Sequence, residues 1–220
     1  MLLQRFTNNL RVSMLLLALL VLAGCASGGP AKAPDSRAAS SQGDVVEGVQ
    51  PELAIPPQVR TLYEQAASAM AAGDIVDAEL RFKEFLLQYP NYPGGHVNLA
   101  IIHVNNGDSA AARSALDAAL AINPSHPAAL NQMGMLLRRN GNFLEAEAAY
   151  LKAVTVKPDY ALAHYNLGIL NELYLQRLDV ALQHFEAYQA LVGEDKQVEK
   201  WIADLKRRVA ANQRTANVAD

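Results

Sequence analysis

The sequence has a single cysteine, Cys25, which excludes an internal disulfide. Residues 58–212 therefore also lack any thiol for a Cys-ligated metal. Basic runs are as scarce: none precedes Lys206-Arg207-Arg208, and the formal net charge is −3. That balance argues against a nucleic-acid partner. No strand-linked G-x-G-x-x-G, P-loop, G-x-S-x-G or H-E-x-x-H is present. The five histidines are His96, His103, His126, His164 and His184. His96 and His103 lie seven apart on one helical face, without the carboxylate set that a metal site needs. Glu145 with Glu147, and Glu194 with Asp195, read as solvated helix faces and caps. No catalytic residue, metal ligand or cofactor is expected, and the chain does not read as an enzyme.

Acidic residues are missing from residues 1–24, which carry Arg5 and Arg11. Val12 to Ala23 is apolar except for Ser13. A charged start, an apolar middle and small residues at the end form a secretory leader. The apolar run is about a dozen residues, short of the roughly 20 that a spanning helix needs. Leu22-Ala23-Gly24-Cys25 resembles the lipobox of bacterial lipoproteins. The resemblance implies cleavage before Cys25, diacylation of its thiol with palmitate-type chains, and acylation of the new amino terminus. It also implies outer-membrane sorting, since Ala26 stands where Asp favours inner-membrane retention. An ordinary signal peptide with a chance cysteine fits less well, because composition changes abruptly at Cys25.

Residues 25–57 are rich in Ala, Ser, Gly and Pro and poor in large apolar side chains. Such a stretch cannot bury enough surface to offset its ordering entropy, so it reads as a disordered linker. Its root-mean-square span as a flexible coil is roughly 30 Å. Removal of residues 1–24 moves the net charge from −3 to −5.

From residue 58 the sequence is periodic. Pro90, Pro124 and Pro158 are spaced by 34, as are Gly73, Gly107 and Gly141. Ala78, Ala112 and Ala146 keep the same period, and so do Phe82, Leu116 and Tyr150. Each period reads as two helices. In Pro127 to Pro158, Pro127 suits a first helical turn. Leu130, Met133, Leu136 and Leu137 then recur at helical spacing. Asn140-Gly141 ends helix A, Asn142 caps helix B, and Ala146, Ala149, Tyr150 and Ala153 line one face of that helix.

Period and residue types together resemble the tetratricopeptide repeat (TPR). Gly134, Ala146, Tyr150, Ala153 and Pro158 fall on its signature positions, with Leu130 and Met133 as apolar substitutes. The second unit supplies Leu99, Ala112, Ala119 and Pro124, with Ala100 for the small Gly; the first supplies Ala78, Phe82 and Pro90. In the fourth, Asn166-Leu167-Gly168 repeats helix A, while Ala181, Phe185 and Tyr188 come one residue late. Leu175 replaces the expected Gly, which predicts a one-residue insertion near Tyr174–Arg177. His96 and His164 are equivalent positions, so repeat packing explains them. Val198, Trp201, Ile202, Leu205 and Val209 mark one face of a terminal capping helix.

The expected fold is all-α: about four TPR units in a right-handed superhelix plus the cap. The units run about 59–92, 93–126, 127–160 and 161–193, with the cap at 194–211 and a flexible tail at 212–220. The family resemblance implies a protein partner, a peptide segment or helix, on the concave face formed by helices A. Its register puts Tyr63, Val97, Asn131 and Tyr165 in one groove row, and Ala67, Ile101, Met135 and Ile169 in the next. Met70, Val104, Arg138 and Glu172 form a third row. Asn98 and Asn166 sit where Asn can bond an extended peptide backbone. Packing against adjacent helices is an equal reading for Val97 and Ile101. The cationic clamp that some TPR co-chaperones close on a C-terminal carboxylate is mostly absent: its positions include Tyr63, Ala67, Val97, Ala128 and Gln132. The expectation is an outer-membrane, periplasm-facing adaptor or scaffold of an envelope machine. The rival is a periplasmic protein that takes a small ligand or a metal in the groove.

Overall fold

The turn at Gly141 shows how the repeat is built. Helix A ends at Arg139, and Gly141 takes φ 82°, a left-handed conformation that costs glycine little. The Asn142 N–H then donates to the Leu137 carbonyl at 2.9 Å, five residues back. Asp74 to Ala69 (3.0 Å) and Asp108 to His103 (2.8 Å) make the same bond in the two preceding units. The carboxylates of Asp74 and Asp108 cap helix B by accepting from the N–H groups of Asp77 and Ala111. Asn142 occupies the same position without a side-chain cap bond.

The computed structural model describes residues 56–219. The leader, Cys25 and most of the linker lie outside them. Among the described residues nine helices follow: α1 Pro57–Ala71, α2 Ile75–Gln88, α3 Pro93–Asn105, α4 Ser109–Ile122, α5 Pro127–Arg139, α6 Phe143–Val156, α7 Ala161–Leu173, α8 Leu178–Val192 and α9 Lys196–Ala219. They pair as α1/α2, α3/α4, α5/α6 and α7/α8, the four units expected. Proline stands in the first turn of α1, α3 and α5, where its missing N–H breaks no helical bond.

Small residues let the paired helices close. Ala78, Ala112, Ala146 and Ala181 are fully buried, as are Phe82, Leu116, Tyr150 and Phe185 one turn on. A Cβ on Gly134 would stand 2.5 Å from the Tyr150 ring, and one on Gly168 2.7 Å from the Phe185 ring. Odd-numbered helices also touch one another, α3 against α5 and α5 against α7; even-numbered helices have no comparable contact among the described residues. The odd helices therefore line the crowded inner face and the even ones the outer face.

The fourth turn carries the predicted insertion. Arg177 N–H donates to the Asn171 carbonyl at 2.9 Å, six residues back instead of five. Gln176, not glycine, takes the positive φ, at 54°. On the far side of this unit, Val198, Ile202 and Leu205 of α9 are buried against Ala181 and Phe185, closing the open end of the stack. Burial of each such side chain is worth roughly 1.5–3 kcal/mol. One expectation is corrected here. α9 does not stop at residue 211 but continues to Ala219, because no Gly or Pro after Gly193 interrupts it.

Candidate partner-binding face

The inner face is built in rows by the 34-residue period. Within the first expected groove row, Val97 and Asn131 turn inward, and Tyr63 and Tyr165 are half-buried. Val97 is 5% exposed and Asn131 1% exposed. Tyr63 is half-buried and stands edge-on to Phe82 and Phe85, at 5.6 and 5.5 Å between centroids. Tyr165 repeats this arrangement against Phe185 and Tyr188, and Trp201 of α9 covers it at 6.0 Å. The physical reason is the crowding of odd helices: a residue one turn into helix A meets its own helix B and the next helix A.

Asn98 and Asn166 each make a hydrogen bond within the stack. The Asn98 amide donates to the Tyr63 hydroxyl at 2.8 Å, across 35 residues. The Asn166 amide donates to Asn131 Oδ1 at 2.9 Å, again across 35. Asn131 in turn points its own amide at the Met135 sulfur, 3.8 Å away. The first two bonds join neighbouring inner helices, and the third stays within α5. Burial takes Val97, Asn131 and Asn166 off the surface, while Asn98 stays half-buried with one amide N–H given to Tyr63 and its second N–H and Oδ1 outside that bond.

The second row, Ala67, Ile101, Met135 and Ile169, is half-buried and stays at the surface. Ile101, Met135 and Ile169 each also pack on a core cluster. The third row, Met70, Val104, Arg138 and Glu172, is half-buried as well. A fourth row escaped the sequence reading: Ala71, Asn105, Arg139 and Leu173 are exposed, Leu173 to 60%. The period alone locates them, one residue after the third row.

Charge gathers at one end of this face. The Arg138 guanidinium lies over the Tyr174 ring, 5.9 Å from its centre. Arg138 also faces the buried Tyr150 hydroxyl, whose pKa burial pushes up to about 12 against the opposing pull of that cation. Arg139 donates to the Val104 carbonyl at 3.2 Å. Arg208 of α9 bonds Glu172 at 2.7 Å. Glu172, Leu173, Gln176, Leu178, Arg208 and Asn212 border an open cavity of about 490 Å³.

The histidines are structural. His96 and His164 each place Nε2 against the carbonyl of the proline six residues back, at 3.2 and 3.0 Å. That contact recurs after two periods, with Leu130 at the equivalent place in unit three. His164 Nδ1 also meets His184 Nδ1 at 3.2 Å. Burial, reinforced by the neighbouring His164, lowers the His184 pKa to about 4. Among the described residues, no group of three or more His, Cys, Asp or Glu is placed to hold a metal, and no helix is long and apolar enough to cross a membrane.

Two tetratricopeptide-repeat family models match residues 69–136 and 131–196, together more than half of the chain. The chain belongs to the TPR family. Solved structures agree on the fold. The pilF protein of Pseudomonas aeruginosa is 22% identical with a TM-score of 0.62, over 71% of this chain and 72% of that one. MamA of Desulfovibrio magneticus RS-1 is 20% identical with a TM-score of 0.57, over 74% and 92%. A thermophilic TPR protein of Thermus thermophilus is 24% identical with a TM-score of 0.59, over 68% and 82%. No curated protein matches significantly in sequence. As a TPR protein the chain is a protein-interaction scaffold, and no catalytic family matches it.

Proposed function

We propose that this TPR protein is a lipid-anchored adaptor on the periplasmic side of the bacterial outer membrane, holding a protein of an envelope machine on its inner face. The observation that carries the binding part is the surviving apolar row, Ala67, Ile101, Met135 and Ile169, which continues across all four units. A row at the surface of every unit, flanked by charge at one end, suits one elongated protein segment better than a compact ligand. Anchoring rests on Leu22-Ala23-Gly24-Cys25 after an apolar leader. Acylation of both the thiol and the new amino terminus exceeds the two lipid signals that stable attachment needs. Candidate machines are pilus or secretion apparatus, cell-wall enzymes and energised envelope transport. Similarity in fold to pilF of P. aeruginosa is compatible with the first of these.

Two measurements test the proposal separately. Cys25→Ala should abolish palmitate labelling and release the protein from membranes; unchanged membrane retention would refute the anchor. Met135→Glu with Ile169→Glu should abolish co-purification of envelope proteins while the helical signal persists. Intact co-purification by that double variant would refute the inner face as the binding surface.

A further inference from the structure

We infer that the occupant of the inner face is an amphipathic α-helix with an acidic residue opposite α5, and not an extended peptide; this rests on the inner-face reading above. An extended segment presents a free N–H and C=O at each residue, and each must find a partner when it leaves water. TPR inner faces can supply such partners only through side chains, because their own backbone is bonded within helices. Here the amides best placed to do so are mostly out of reach. Asn131 and Asn166 are buried and bonded to each other, and half-buried Asn98 spends one of its two amide N–H groups on Tyr63. Along the described rows that leaves Asn98, Gln132 and Asn105, too few to serve a strand that crosses four units. What remains accessible is apolar: Ala67, Ile101, Met135, Ile169 and the exposed Leu173. A helix satisfies its own backbone and offers only a side-chain stripe, which matches that surface.

Charge sets the register of the occupant. Arg138 and Arg139, on the last turn of α5, pair with no carboxylate among the described residues. Arg138 rests on Tyr174, and Arg139 bonds only a carbonyl. The first two units contribute no cation to these rows: Ala67, Met70, Val97, Ile101 and Val104 are neutral, and Glu64, in the row of Asn98 and Asn166, is acidic. An acidic residue of the bound helix therefore meets the two guanidinium groups where it crosses α5, while its apolar stripe follows Ala67, Ile101, Met135 and Ile169.

Site-specific photo-crosslinking tests this directly. A benzophenone amino acid replaces Ile101, Met135 or Ile169, one at a time, in the full chain in the cell that makes it. Mass spectrometry then locates the partner residue joined to each position. Packed inner helices stand roughly 8–10 Å apart. A helix climbs about 1.5 Å per residue, so adjacent positions should capture partner residues about six apart. An extended chain climbs about 3.3 Å per residue and would be captured about three apart. Arg139 and Leu173, both exposed, provide a second pair if the half-buried positions do not tolerate the reagent. Leu80, on the outer face and 65% exposed, is the control. Spacing near six, with an acidic residue opposite Arg139, supports the proposal. Spacing near three overturns the helix but leaves the inner face as the binding site. Adducts from Leu80 alone, or none from any inner position, overturn both.

Discussion

Units three and four share one core design and differ at their edges. Both set a glycine of helix A under an aromatic ring of helix B, Gly134 under Tyr150 and Gly168 under Phe185. Unit three then turns through Gly141, while unit four turns through Leu175 and Gln176 with one residue more. Unit three puts Arg138 on the inner face, where unit four puts Glu172. Unit four brings two histidines together, His164 and His184, and unit three does not. The comparison teaches that the repeat tolerates change in its turn and on its faces, and resists it where helix A meets helix B.

The largest expected effect breaks the symmetry between the two units. The free-chain histidine gains its proton near pH 6.5, and His184 in the folded chain only near pH 4. Between those values the unfolded state holds more protons. Stability is therefore complete above pH 6.5 and is lost as pH falls toward 4, by about 2 kcal/mol once solvent screening of the partly exposed ring is allowed for. The groups that face His184 are His164 and Glu147, the latter opposing the shift. Denaturant titrations from pH 7 to 4 should show this slope in the parent and a flatter one in His184→Gln; equal slopes would remove the histidine from the account.

A second test restores the symmetry. Gly134→Ala and Gly168→Ala should each cost about 2 kcal/mol, because the new methyl forces a packed ring to move. Similar losses in thermal unfolding confirm a shared core, and a loss confined to one unit breaks it. The turns should respond with opposite signs. Gly141→Ala places a Cβ at φ 82° and should destabilise by about 1 kcal/mol. Gln176→Gly relieves the left-handed strain at φ 54° and should stabilise by about 0.5–1 kcal/mol. A loss of stability in Gln176→Gly would mean that the glutamine side chain contributes more than its backbone costs. Smallest of all, Arg177→Ala removes the 2.8 Å pair with Glu147 that ties the fourth turn to α6. With Arg177 exposed, the expected loss is below about 1 kcal/mol and shrinks in salt.

Much of the fold was legible because glycine, alanine and proline carry backbone meaning at fixed spacing. Even the inserted residue showed, through Ala181 and Phe185 arriving one position late. The inner face was less legible. A 3.6-residue period states which side of helix A faces inward, but not how closely the next helix A approaches. That approach buries Asn131 and Asn166, and it left Arg139 and Leu173 unremarked one position further on. The end of α9 was misjudged for a related reason. A polar, alanine-rich segment such as Ala210 to Arg214 has no apolar stripe to announce a helix, yet contains nothing that stops one.

Each seam between successive inner helices carries one direct side-chain bond: Tyr63 with Asn98, Arg139 with the Val104 carbonyl, Asn131 with Asn166, and Arg208 with Glu172. On the outer side, Arg177 with Glu147 ties the fourth turn to α6, and Lys206 with Glu186 and Gln189 with Glu199 tie α8 to α9, but no such bond joins α2 to α4 or α4 to α6 among the described residues. A stack fastened along one edge bends by fanning its other edge. A bend that keeps the inner bonds intact must therefore open the outer side and leave the spacing of the inner helices unchanged.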